Sequence, residues 1–178
     1  MKTKFYPVHL ILLFSLLLAG CSAGSVQLRS KEGNFSVKAP VTLEEMPQSI
    51  DISSGKKETH TYLAEKDGIA YVATYIVFEE SSFSQGSLED MLNNARDSMV
   101  NSVSGKLAME TRIALGDYPG RDVTISYTTT DGKDGLIRAR LYLVKPNLYQ
   151  VMVLMDKGQE NTASVSSFLD SFKLLKNP

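Results

Sequence analysis

Apolar and polar residues alternate along most of the chain, and in two places the alternation gives way to a helical spacing. Alternating runs bounded by Gly, Pro, Asn and Asp predict β-strands, and apolar residues at i, i+3, i+4 and i+7 predict helices. The predicted strands cover residues 26–28, 35–39, 59–64, 69–78, 106–114, 123–128, 136–144 and 148–155. Helices are predicted between Ser87 and Gly105 and from about Asn161. This order predicts an α+β domain.

The predicted strand over residues 69–78 is apolar at both odd and even positions, as Tyr71 and Ile76 illustrate. A strand that is apolar on both faces is covered on both faces, so we expect it near the centre of a mostly antiparallel sheet. Residues 40–56 show no sustained period, which predicts a surface loop. The sequence Leu-Gly-Asp-Tyr-Pro-Gly at 115–120 predicts a turn.

The N-terminal segment has the pattern of a secretory signal. Lys2 and Lys4 precede an apolar run over residues 8–18, and small residues follow. The run is too short to span a bilayer comfortably as a helix. Cys21 directly follows Leu-Ala-Gly, which resembles the lipobox of bacterial lipoproteins. That resemblance implies that Cys21 receives a diacylglyceryl thioether, becomes the new N-terminus and is acylated there.

These features divide the chain into three parts: a lipoprotein signal peptide (1–20), a lipidated cysteine with a tether (21–27) and a single domain (28–178). Without Lys2 and Lys4, the 19 basic residues of the chain fall to 17 against 20 acidic ones, a net charge of −3. Such a balance does not favour binding to nucleic acid or to an anionic membrane surface, so membrane attachment is expected to depend on the lipid. Cys21 is the single cysteine, which excludes an internal disulfide.

Four segments along the mature chain resemble the PsbP-like family in order and spacing. They are residues 35–40 (Phe-Ser-Val-Lys-Ala-Pro), 115–121 (Leu-Gly-Asp-Tyr-Pro-Gly-Arg), 140–149, and 168–172 (Phe-Leu-Asp-Ser-Phe). The resemblance, to a bacterial and lipidated member, implies a central, mostly antiparallel sheet flanked by helices on both faces, the PsbP-like α/β/α sandwich. Members of that family with known roles are mostly binding proteins. The matching positions are structural, so the resemblance carries over no functional residue.

Catalytic and metal-binding patterns are scarce. His60 is the only histidine of the mature chain, and no Gly-x-Ser-x-Gly motif accompanies it. The lack of a Cys/His cluster excludes the usual zinc sites. We expect neither a metal nor another cofactor, and no enzymatic activity.

One group of residues suggests a binding surface. Arg138, Arg140 and Tyr142 share one face of a predicted strand, and the preceding strand offers hydroxyls at Thr124 and Ser126. If these strands pair, the face could bind a carboxylate, a phosphate or an acidic protein loop. The alternative is a solvated or helix-rimmed face with local ion pairs. Either way, we expect the two arginines near solvent.

The sequence leaves three functions open. The leading hypothesis is a lipid-anchored protein of the bacterial cell envelope that binds or supports another envelope protein. A second is a carrier of a small amphiphilic ligand, which would need an apolar cavity between sheet and helix. A third is a hydrolase using His60. In a two-membrane bacterium, Ser22 after the cysteine is compatible with sorting to the outer membrane, facing the periplasm.

Overall fold

The computed structural model describes residues 24–46, 56–83 and 88–175. The predicted signal peptide, Cys21 and Ser87, the N-terminal limit of the first predicted helix, lie outside these ranges. Within them the chain forms two antiparallel sheets, two α-helices and a short 3₁₀-helix, Glu80–Phe83. No helix in these ranges is long and apolar enough to cross a bilayer.

The larger sheet is the central layer of the fold. Its seven strands are β3 (Glu44–Glu45), β4 (Lys56–Lys66), β5 (Ile69–Phe78), β6 (Lys106–Leu115), β7 (Tyr118–Thr128), β8 (Asp134–Val144) and β9 (Asn147–Asp156). Their spatial order is β3-β4-β5-β9-β8-β7-β6, and all neighbours are antiparallel. The predicted interior position of β5 is therefore confirmed.

Different layers cover the two faces of this sheet. One face carries helix α1 (Leu88–Ser102), which packs on β7 and β8. The other carries helix α2 (Ala163–Asp170) and a three-stranded sheet. That smaller sheet consists of β1 (Val26–Ser30), β2 (Phe35–Ala39) and β10 (Lys173–Leu174), with β2 in the middle.

The alternation along β5 supplies both cores. Tyr71 points towards α2, where its ring meets Phe168 edge-on at 5.3 Å, whereas Ile76 belongs to the cluster beneath α1. On the α2 side, Phe172 stacks on Phe35 of the small sheet and on Tyr142 of the large one. Because each buried aromatic side chain removes about 150–250 Å² from water, this aromatic cluster binds the two sheets together.

Helix α1 begins and ends near its predicted limits, but its C-terminal cap differs in detail. Ser104, not a glycine, adopts the left-handed conformation, with φ 48°. The Gly105 N–H donates to the Val100 carbonyl at 2.9 Å, which is the long bond of a Schellman motif. A Cβ on Gly105 would lie 2.8 Å from Ile125 and from the Ser126 carbonyl. Gly105 is thus suited to close packing on β7 rather than to a special φ.

Four sequence-based expectations need correction. The loop predicted at 40–56 contains the two-residue strand β3, β7 already begins at Tyr118 within the predicted turn, and β10 was not predicted at all. The fold is also not a simple α/β/α sandwich, because a small sheet with one helix, rather than helices alone, covers the second face. The reason is the alternation in β1 and β2, which gives that sheet an apolar inner face.

Gly120 provides a test of the packing between β7 and β8. A Cβ there would lie 2.5 Å from the Leu141 carbonyl and 2.7 Å from the Tyr142 ring. We expect Gly120→Ala to lower the free energy of unfolding by about 2 kcal/mol, as overpacking of a core does. Gly24→Ala is the control, since nothing lies within 4 Å of a Cβ there. Urea unfolding of both variants checks this, and equal stabilities would contradict it.

Candidate functional site

The register of β7 and β8 brings the predicted binding residues together. Thr124 is opposite Arg138 and Asp122 is opposite Arg140. The same register pairs Tyr142 with Gly120. One face of these two strands therefore carries two guanidiniums, a phenol and hydroxyls. It also carries the carboxylate of Asp122, which was not among the predicted binding residues.

The guanidinium of Arg140 is bound by two carboxylates of the protein itself. Its Nε lies 3.1 Å from Asp122 Oδ2, and one terminal nitrogen lies 2.6 Å from Asp170 Oδ1 at the end of α2. The other donates to the Leu169 carbonyl at 3.1 Å. Burial works against this charge, but the hydrogen bonds to Asp170 and Asp122 outweigh it and raise the pKa of the guanidinium. Arg140 thus fastens the C-terminal end of α2 to the large sheet.

Arg138 and Tyr142 differ in how accessible they are. Arg138 is partly exposed and donates to the Glu160 carbonyl at 3.4 Å. Tyr142 is only 5 % exposed, and its ring stacks on Phe172 at 5.5 Å. Tyr142 is therefore a core side chain, because Phe172, in the segment after α2, packs against its ring. The side chain of Arg138 thus makes one long hydrogen bond and no ion pair within the described residues.

A third arginine, Arg121, which the sequence pattern does not single out, lies beneath α1. Arg121 on β7 is 3 % exposed and contacts Glu89 of α1 and Glu110 of β6, with 3.0 Å between Arg121 Nε and Glu110 Oε1. Glu110 also binds Arg96 of α1 at 2.8 Å. Hydrogen bonds to Asp97 and Glu110 raise the pKa of Arg96. A buried arginine requires such partners because desolvation of an unpaired charge is costly.

His60 lies on β4 and is buried, with its ring stacked on Tyr75 at 4.3 Å. Its Nδ1 is 3.1 Å from Glu45 and its Nε2 is 3.5 Å from Glu58. Two carboxylates and a tyrosine ring are thus among the neighbours of this imidazole. Burial, followed by the nearby Tyr62 and carboxylates, raises the pKa of Tyr75. In the described ranges no group of three His, Cys, Asp or Glu side chains is placed to hold a metal ion.

The carrier hypothesis depends on a cavity between sheet and helix. A cleft of about 870 Å³ opens elsewhere, at the end of β5 and the turn between β8 and β9. Phe78, Phe83, Lys145 and Pro146 form part of its wall, and Lys145 Nζ lies 4.9 Å from the Phe83 ring centre. On the sheet faces themselves, buried apolar side chains pack against α1 and α2.

The most exposed apolar surface lies along β6, at the edge of the large sheet. In the described part of the chain β6 pairs with β7 alone, so its outer edge has no neighbouring strand there. Leu107 and Met109 are 41 % and 54 % exposed, and a β-bulge separates their pairings with β7. Arg112 on the same strand is also exposed. Long exposed edges with apolar side chains are templates for pairing with another strand.

The two arginines of β8 can be distinguished by stability. We expect Arg140→Gln to lower the free energy of unfolding by about 2 kcal/mol, because Asp122 loses its charged partner while remaining partly buried. Arg138→Gln, the matched control with one long contact, should change it by less than about 0.5 kcal/mol. Thermal and urea unfolding give the comparison. Equal losses for both variants would contradict this role of Arg140.

Solved structures of similar fold exist, although no protein-family model and no curated protein sequence matches the chain. The cyanobacterial PsbP protein CyanoP of Synechocystis superposes with a TM-score of 0.55 at 8 % identity, covering 85 % of this chain and 93 % of that one. LpqN of Mycobacterium tuberculosis, described as involved in cell envelope biogenesis, superposes with a TM-score of 0.50 at 10 % identity, covering 86 % and 91 %. At such identities the similarity establishes architecture alone. The fold of this chain is PsbP-like.

Proposed function

We propose that this chain is a lipid-anchored protein of the cell envelope and that its domain is a non-enzymatic module that binds another envelope protein. The observation that supports this most directly is the exposed edge of β6, with Leu107 and Met109 open to solvent. The N-terminal Leu-Ala-Gly-Cys motif supports the anchor. The structural similarity to LpqN, an envelope-biogenesis protein, supports the location.

An extended segment of a partner can add to β6 as a further strand. Main-chain hydrogen bonds to the outer edge would supply affinity, and alternate side chains would supply selectivity. Met109 lies opposite Thr124 on the α2 face of the sheet, and Leu107 lies opposite Ile125 on the α1 face. A partner strand would therefore meet one apolar side chain on each face, with Arg112 as a charged neighbour.

The side chains that could take part in catalysis or bind a charged ligand contact other residues of the domain. Arg140 and Arg121 bind carboxylates that fasten the two helices, and His60 lies between two glutamates and a tyrosine ring. These contacts favour a binding module over an enzyme. They also leave the surface of β6 as the region best suited to an external partner.

Lipidation of Cys21 is tested by replacing it. Cys21→Ser removes the thiol that would carry the diacylglyceryl group, so we expect loss of lipid labelling and accumulation of a precursor that keeps the signal peptide. Mass spectrometry of the membrane-bound protein checks both, and Ser25→Ala serves as the processed control. A mature protein carrying an unmodified Cys21 thiol would contradict the proposed anchor.

The role of β6 is tested by crosslinking in the native envelope. A photo-reactive residue at Thr111 should give one dominant adduct with an envelope protein, and Leu107→Lys with Met109→Lys should reduce that adduct at least tenfold, because lysine on an edge opposes strand addition. Leu63→Lys is the control, since Leu63 is also exposed and apolar but lies on β4. Unfolding of the variants verifies that the fold is intact. An adduct insensitive to the β6 changes would contradict this site.

A further inference from the structure

The outward face of the small sheet is basic. Along β2, Val37 points into the core, so its neighbours Ser36 and Lys38 point outward. Arg29 on β1 and Lys173 on β10 are both paired with Ser36 from opposite sides, which places them on the same outward face. We call Arg29, Lys38 and Lys173 the basic face.

The three cations lie close together around Ser36. Neighbouring strands are about 4.8 Å apart, so the backbones of Arg29 and Lys173 are separated by about 10 Å. Lys38 is two residues further along β2, about 7 Å from Ser36. All three side chains are exposed, whereas Ser36 between them is 6 % exposed. Their charges therefore project side by side from a flat surface.

The basic face differs from the sites of Arg121 and Arg140 in lacking counter-charges. Within residues 24–46, 56–83 and 88–175, no carboxylate lies within 4 Å of Arg29, Lys38 or Lys173. Arg121 and Arg140, by contrast, each contact two carboxylates. The chain as a whole is slightly acidic, at −1. An unpaired positive surface on such a domain is complementary to an anionic one.

We propose that the basic face docks on the anionic phospholipid headgroups of the membrane that holds the lipid on Cys21. This inference rests on the proposed lipid anchor. β1 begins at Val26, five residues after Cys21, and five residues can span at most about 18 Å. The first strand of the small sheet is thus held within about 18 Å of the bilayer surface. The domain can approach more closely than this limit, which lets the basic face come within a Debye length, about 8–10 Å, of the headgroups.

Docking would fix the orientation of the domain. The small sheet and α2 would lie against the membrane, the large sheet behind them, and α1 furthest away. The edge strand β6 would then stand at the side of the domain, where a partner strand could approach. The lipid supplies attachment, and the basic face supplies a preferred angle, a combination of two signals that is common in membrane anchoring.

The chain contains no tryptophan, so a single introduced one is a specific fluorescent reporter. Gln27 is exposed and paired with Lys38, and Gln27→Trp reports on the basic face. Asn101→Trp reports on the exposed side of α1. The full chain, processed in a bacterial host, is incorporated into vesicles of phosphatidylcholine with or without phosphatidylglycerol. Both vesicle types contain quencher-labelled lipid near the headgroups.

We expect several-fold stronger quenching of Gln27→Trp in vesicles with phosphatidylglycerol than in phosphatidylcholine alone, and loss of the difference at high salt. Asn101→Trp should show no such difference. In the Gln27→Trp background, Arg29→Gln, Lys38→Gln and Lys173→Gln together should abolish it. A triple variant with the same charge change elsewhere, Lys66→Gln, Lys106→Gln and Arg112→Gln, should keep it.

Equal quenching in both vesicle types, or equal effects of the two triple variants, would overturn the proposal and leave an acidic protein as the alternative partner of this face. Thermal unfolding of each variant establishes that the domain is folded. Mass spectrometry of the same preparation reports the lipid on Cys21. If that lipid is missing, the anchor proposal fails, while phosphatidylglycerol-dependent quenching at excess vesicles still tests the basic face separately.

Discussion

The central strands β5 and β9 are largely apolar on both faces, and the need to cover both faces determines the rest of the architecture. Val151 and Val153 on one side of β9, and Leu148 on the other, are almost completely buried. At about 25 cal/mol per Å² of apolar surface removed from water, leaving either face open would forfeit a large part of the driving force for folding. A single helix covers one face. The other needs a wider layer, which β1, β2, β10 and α2 build together.

The two helices are fastened to the sheet in the same way. Arg121 of β7 contacts Glu89 near the start of α1, and Arg140 of β8 contacts Asp170 at the end of α2. In each case a strand arginine that is largely removed from water meets a carboxylate of a helix and a second carboxylate from a neighbouring strand. Burial requires these partners, because an arginine without them would lose more in desolvation than packing returns. Arg121 and Arg140 are therefore each paired with two carboxylates where they are covered, whereas the exposed Arg29 has no carboxylate within 4 Å among the described residues.

Local patterns in the sequence predict local features well. The limits of β2 and β5 follow from alternation and from the bounding proline and glycine residues, and α1 follows from its apolar stripe. The face shared by Arg138 and Arg140 also follows from alternation.

The contact between Arg140 and Asp170 cannot be predicted from this pattern, because it depends on where α2 ends in space. Strand β10 is equally hidden, since two residues carry no period and form a strand only because β2 offers an edge. The basic face is not predicted either: Lys38 lies on the predicted strand 35–39, but Arg29 lies one residue beyond the predicted strand 26–28, and Lys173 belongs to β10.

The small sheet unites the two ends of the domain, since β1 and β2 precede residue 40 and β10 lies at 173–174. A hydrogen bond also joins them: the Lys38 N–H donates to Ser171 Oγ at 2.8 Å, across a separation of 133 residues. During synthesis the small sheet cannot close until residues 173–174 have emerged, because β2 lacks one of its two neighbours until then. Contacts of such long range form late in folding. A nascent chain that has not yet reached β10 therefore lacks part of the cover of its second core, which Phe172 and Leu174 complete.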